Sequence, residues 1–220
     1  MPKTDHPYIY LNERCRHYGA DLVAVSKTRT IEEMDVLYRM GQRVFAENKA
    51  QELIKKAPAM PSDIKWHLIG HLQTNKVRAI LPYVTCIQSL DRKSLWEKLQ
   101  EEASKSGKSI SCLLQIKIAA EESKFGWIYS ALTELLASGI HHSFPNVVLE
   151  GVMGMASFTD DMEQVRAEMK QLKFYFDQLQ QTYFDRNPEF NTISMGMSGD
   201  YQIALEEGST MIRVGSLLFS

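Results

Sequence analysis

A lysine directly after a wholly apolar run, and two hydroxyl-bearing turns near the C-terminus, are the groups in this sequence with chemistry to offer. Lys27 closes the segment LVAVSK (22–27). An amine held where water is partly excluded has a lowered pKa and is nucleophilic toward an aldehyde. Ser198-Gly199 and Gly215-Ser216 each set a hydroxyl beside a residue that lets a ligand approach the backbone closely. The first pair opens a helical segment over 200–207, and free N–H groups at a helix start favour an anion. A lysine facing a phosphate cradle suits a phosphorylated aldehyde, and pyridoxal 5′-phosphate is the common ligand of that description. Taken alone, each feature has a plainer reading: Lys27 as a solvated strand end, and Ser198 as the N-cap of a strand-to-helix turn.

These groups need elements to position them. Apolar runs occur at 22–26, 43–47, 65–70, 83–90, 111–118, 147–156, 191–197 and 210–216. Several are apolar at successive positions, as from Leu22 to Val25, the pattern of strands buried on both faces in a parallel sheet. Helical patterns lie between them. Thr30 with Glu33 opens one with a capping box, and Asp91 is placed to cap another. The longest, 160–183, carries Met162, Val165, Met169, Leu172, Phe176 and Leu179 along one face. Residues 5–18 form an extra helix before the first strand. Eight strands alternating with helices predict an α/β fold, a (β/α)8 TIM barrel with an additional N-terminal helix, as a single domain over 1–220. An open doubly wound sheet is the other arrangement. In a barrel the ligand sits at the C-terminal ends of the strands, frequently with phosphate held after strands seven and eight. That rule gathers Lys27, Asn48, His71, Met197, Ser198, Gly199, Arg213, Gly215 and Ser216 on one face.

Composition bounds the rest. The chain has 220 residues, 44% hydrophobic and 24% charged, with a net charge of −2. That charge offers no general attraction to nucleic acid or to acidic membranes. No apolar run is long enough to span a bilayer, and the N-terminus lacks the apolar core of a secretory signal. Cys15, Cys86 and Cys112 are widely spaced and suit buried thiols in a reducing cytoplasm. His67 and His71 stand four apart along a strand, where two imidazoles do not converge on a metal. His141-His142 reads as a solvated pair near a helix end, and Gly107 as a helix C-cap. The paired MGMAS (153–157) and MGMSG (195–199) suggest equivalent strand ends.

The segments VAVSKT (23–28), FAENKAQE (45–52), WHLIGHLQTNK (66–76), SLDR (89–92), EESKFGW (121–127), GVMGMASF (151–158) and SMGMSGDYQIALEEGSTMIRVGSLLF (194–219) occur in order across nearly the whole chain. They closely resemble the YggS/PROSC family of pyridoxal phosphate homeostasis proteins, which is similar to the barrel domain of alanine racemase. The resemblance implies a Schiff base between pyridoxal 5′-phosphate and Lys27. It implies phosphate contacts from Ser198, Gly215 and Ser216, with Arg213 facing the pyridine nitrogen. Asn48 would lie beside the cofactor, with Ile69 and Met197 as further contacts. It also implies a non-catalytic protein that buffers or delivers the cofactor to acceptor apoenzymes, and a monomer is expected because no exposed apolar stripe in the sequence demands a dimer. The alternative is a racemase-like enzyme, but only 217–220 follow the last strand, leaving no room for the second domain that brings racemases another base. Two departures stand out: His71 replaces a Pro or Ala-like residue, and Ser216 the commoner Thr. Residues 121–124 are polar and lie between a strand and a helix, and they read either as a mobile rim loop that gates the mouth or as a plain solvated loop.

Overall fold

The computed structural model of the chain describes residues 6–119 and 125–219. The elements alternate as expected: α1 (Pro7–Tyr18), β1 (Asp21–Val25), α2 (Ile31–Arg39), β2 (Val44–Glu47), α3 (Ala50–Lys56), β3 (Lys65–Leu68), α4 (Val77–Ile80), β4 (Val84–Leu90), α5 (Lys93–Ser106), β5 (Ile110–Gln115), α6 (Tyr129–Ala137), β6 (Val147–Met153), α7 (Met162–Tyr183), β7 (Thr192–Ser194), α8 (Tyr201–Glu206) and β8 (Met211–Val214). The strands close into a barrel in sequence order, which excludes the open sheet. Closure is made by parallel pairing of β1 with β8, from Asp21 opposite Met211 to Ala24 opposite Val214.

Alternate strand residues build two cores. Leu22, Ala24, Phe45, Trp66 and Leu68 face outward into the main core beneath the helices, with Met34, Leu37 and Leu53. Val23, Val25 and Ala46 face the barrel axis, where Ile69 and Met211 pack on them. Cys86, Leu113 and Met153 fill another part of the interior. Each fully buried Leu or Phe contributes about 1.5–3 kcal/mol. All three thiols are buried.

The strands are shorter than the apolar runs. Ile116, Ala156 and Met195 are almost wholly buried yet lie just beyond β5, β6 and β7. Apolarity reports burial, and the chain continues inward after strand pairing has stopped. Thr30 makes the expected capping box with Glu33 at the start of α2, and Gly107 ends α5 in a left-handed conformation. Asp91 is not a cap. The N-cap position of α5 falls on Arg92, and the Asp91 carboxylate is held by His71 and Arg92 instead. Along α7 the stripe from Val165 to Leu179 is buried, whereas Met162 in the first turn is exposed, and Asp161 caps the helix. No helix among the described residues is long and apolar enough to cross a membrane.

Candidate functional site

The C-terminal mouth of the barrel collects the residues singled out by the sequence. Lys27 follows β1 on the same register as the inward-facing Val23 and Val25. Its side chain is exposed, so the partial desolvation expected of it is not met. The peptides around it are held tightly. Ser26 Oγ donates to Glu47 Oε1 at 2.7 Å, and Lys56 Nζ donates to Ser26 O and Glu47 Oε1, both at 2.7 Å. Thr28 N donates to Glu52 Oε2 at 2.9 Å, and Thr28 has φ +63°, a conformation that β-branched residues rarely adopt. In the sequence Glu47 stands out only as a strand end, and nothing marks Lys56. The available signal was a carboxylate closing an apolar strand, since a buried charge requires a partner.

Asn48 is half-buried after β2. A Cβ on Gly70 would lie 2.1 Å from Asn48 O, so only glycine lets the chain after β3 pass so close to it. Ile69 lies on the inner cluster and donates its N–H to Glu47 O at 3.0 Å.

The turns after β7 and β8 meet. Gly215 N donates to Ser198 Oγ at 3.4 Å. A Cβ on Gly215 would come within 3.1 Å of Val25 O, which sets this turn against the end of β1, two residues before Lys27. Ser198 is half-buried, while Met197 and Ser216 are exposed. Ser198 is not the N-cap of α8. That position is Asp200, whose Oδ1 accepts from Met197 N. The backbone N–H groups of Ser198, Gly199 and Ser216 have no acceptor among the described residues. Two hydroxyls and three free donors around a close-approach glycine make a cradle that fits a phosphate.

Below the cradle, Arg213 is buried, and burial lowers its pKa to about 10, so it is charged at neutral pH. It makes no salt bridge among the described residues; Nη1 donates to Ser194 Oγ at 2.6 Å and Nη2 to Gly154 O at 2.9 Å. Guanidinium only donates, so Ser194 Oγ accepts from it and sends its own hydrogen to Gln88 Oε1 at 2.7 Å. The Gln88 amide is thereby oriented, and its Nε2 donates to His67 Nδ1 at 2.9 Å. His67 is therefore neutral, with its hydrogen on Nε2. Burial, with a smaller push from Lys65, lowers its pKa to about 4. The four residues come from β8, β7, β4 and β3, and no spacing in the sequence announced the chain they form.

At the rim, His71 Nδ1 lies 3.0 Å from Asp91 Oδ2, and its ring stacks on Phe125 with centroids 4.2 Å apart. His67 and His71 thus engage different partners. Residues 121–124, where a gating or a plain solvated loop was expected, lie outside the described residues. His141, expected to be solvated, is half-buried, with an Nδ1 that is shielded from water and has no hydrogen-bond partner among the described residues. It lines a cavity of about 670 Å³ with Phe144, Leu149, Tyr183 and Phe184, at the opposite end of the barrel and with no residue in common with the mouth.

Fold and site together define a barrel of the alanine racemase type. The family model described as alanine racemase, N-terminal domain, matches residues 5–220. The chain belongs to the pyridoxal phosphate homeostasis protein family, also called YggS/PROSC. It is 38% identical to the member from Aquifex aeolicus (strain VF5), over 91% of this chain and 86% of that one. It is 35% identical to the member from Pasteurella multocida (strain Pm70), over 90% and 84%. Among solved structures it resembles PipY of Synechococcus elongatus PCC7942 without PLP (TM-score 0.90, 32% identity, 97% of this chain and 98% of that chain). The PipY structure with PLP bound matches with a TM-score of 0.83 at 32% identity, over 94% and 99%. Alanine racemase of Clostridium difficile 630 shares the fold at 16% identity and a TM-score of 0.72, over 98% of this chain but 56% of the enzyme.

Proposed function

We propose that this chain binds pyridoxal 5′-phosphate at the barrel mouth, covalently through a Schiff base on Lys27, and serves to buffer or deliver it. The observation that carries the reading is the juxtaposition of Lys27 with a cradle of free donors: Gly215 lies against Val25, and Ser198 against Gly215. The Ser198 and Ser216 hydroxyls and the N–H groups of Ser198, Gly199 and Ser216 hold the phosphate. Ile69 and Met197 supply apolar contact, and Asn48 supplies an amide beside the ring. Arg213 faces the pyridine nitrogen. The relatives named for pyridoxal phosphate homeostasis, and PipY with PLP bound, support the ligand.

When bound, the cofactor supplies an electron sink, at its strongest when the ring nitrogen is protonated. Arg213 works against that. A guanidinium that stays charged donates to the nitrogen and leaves it unprotonated. Lys27 offers one basic amine, and the rest of the mouth binds and orients. These features suit retention and release more than turnover. The protein acts as a monomer in the cytoplasm, and its partners are apoenzymes that accept the cofactor.

The test is a spectrum of the purified, cofactor-loaded protein before and after borohydride, with mapping of the labelled lysine. Lys27 carries the label, and Lys27→Ala loses the visible band while keeping the fold. Label on Lys49 or Lys76 rejects the assignment. Sustained turnover of L- or D-amino acids rejects the non-catalytic role and restores the racemase-like alternative.

A further inference from the structure

We propose that Lys56, acting with Glu47 and Glu52, is the positioning residue that aims the Lys27 amine at its aldehyde, an inference that rests on the Lys27 assignment above. Lys56 stands in the last turn of α3 and is buried. Its ammonium has three hydrogens and meets three acceptors: Ser26 O at 2.7 Å, Glu47 Oε1 at 2.7 Å and Glu52 Oε2 at 3.3 Å. These acceptors straddle Lys27. Ser26 O belongs to the peptide that leads into Lys27. Glu52 Oε2 also accepts from Thr28 N, in the peptide that leads out of it. Glu47 Oε1 pins the Ser26 hydroxyl as well. One ammonium thus grips the backbone before Lys27 directly, and the backbone after it through a single carboxylate.

The arrangement is a poor choice for stability alone. Glu47 is wholly buried, and its Oε2 has no hydrogen-bond partner among the described residues. Burial raises the Glu47 pKa against the pull of Lys56 and Ser26. A buried ion pair with an unsatisfied oxygen holds a fold together less well than apolar side chains of the same volume. What the cluster does secure is geometry. Thr28 sits at φ +63°, and such a conformation persists only where its surroundings impose it. Lys27 is exposed and its Nζ makes no hydrogen bond among the described residues, so its backbone sets the point and direction from which the side chain leaves the barrel. Condensation of an amine with an aldehyde joins nitrogen to carbon and releases one water. It proceeds fast only when the two atoms are held within bonding approach.

Two variants test this. Lys56→Met removes the grip but strands Glu47. Glu47→Gln with Lys56→Met removes both charges and keeps the volume, so it preserves folding if the single variant does not. Each is titrated with pyridoxal 5′-phosphate, following the visible band and borohydride trapping. Each is also titrated with pyridoxine 5′-phosphate, which has the phosphate and ring but a hydroxymethyl group in place of the aldehyde. The proposal expects unchanged affinity for pyridoxine 5′-phosphate, with formation of the band slowed about tenfold or more. Bands that form at the wild-type rate in the folded double variant overturn it. So does a parallel loss of pyridoxine 5′-phosphate binding, which makes the cluster a general structural support. Failure of the underlying assignment shows separately, as wild-type protein labelled at a lysine other than Lys27.

Discussion

Arg213 remains a cation in its buried setting because a pKa of about 10 is still far above neutrality, and its two hydrogen-bonded groups, Ser194 Oγ and Gly154 O, are both uncharged. No carboxylate makes a salt bridge with it among the described residues, although the Asp200 charge raises its pKa against burial, and the remainder of its field falls on whatever occupies the mouth. Arg213→Gln removes the charge while keeping an amide that can still donate to Ser194. The expected outcome is a changed pH dependence of the bound cofactor's absorbance, and an identical titration in wild type and variant places Arg213 away from the ring. At the cradle, Ser198→Ala with Ser216→Ala deletes two hydrogen bonds to a charged group. At about 1.5–3 kcal/mol each, the double variant weakens cofactor affinity by roughly 100-fold or more. Ser198→Ala alone has a milder effect, because it releases Gly215 N as a substitute donor. Equilibrium titration checks both, and an undiminished affinity in the double variant moves the phosphate elsewhere. Lys27 and the two turns were legible in the sequence because each follows its strand at the position where barrels bind ligands. Gln88, Ser194 and Lys56 were not, because a buried polar side chain advertises a need for a partner without naming it.

Elements were more legible than their ends. All eight strands stand where the apolar runs placed them, but β7 shrinks to Thr192–Ser194 although the run covers 191–197. The alternation of inward and outward residues carries more than the boundaries do, since it puts Val23 and Val25 on the axis and Leu22 and Ala24 beneath the helices. Asp91 shows where local reasoning misleads. It has the residue type and place of a helix cap, yet His71 and Arg92 claim its carboxylate across the β3 and β4 loops. The apposition of the β2 and β3 ends gives a test at this scale. Gly70→Ala puts a methyl group 2.1 Å from Asn48 O, and backbone cannot swing aside as a long side chain can. The expected result is a destabilisation of roughly 1–3 kcal/mol in urea unfolding, together with weakened cofactor binding as Asn48 is displaced. A variant as stable as wild type that binds normally shows that the two loops are free to part.

Closure of the barrel is what makes one hydrogen-bonded chain of Arg213, Ser194, Gln88 and His67, whose donors and acceptors are all dictated from the guanidinium end. An open sheet with the same strands would leave β3 and β8 far apart and break the chain that sets the His67 tautomer. That consequence is measurable for the whole molecule. The folded pKa of His67 is about 4, held down first by burial and then by Lys65, against an ordinary value of 6.5. Between these values the unfolded chain binds a proton that the folded chain refuses, so stability rises with pH across the window and is lost as pH falls through it. Protonation would also turn Nδ1 into a donor facing the Gln88 amide, which already donates to it. The full difference corresponds to on the order of 3 kcal/mol, reached as pH approaches the folded pKa. His67→Gln keeps an acceptor for Gln88 and removes the titration. Urea unfolding of both proteins across this window separates the histidine from the carboxylates, whose contributions are common to the two chains and cancel in the difference. Wild type loses stability more steeply than His67→Gln as the pH is lowered. Two curves that stay parallel down to about pH 4 would mean that His67 is accessible to protons in the folded state, and that the chain running to it from Arg213 does not fix its tautomer.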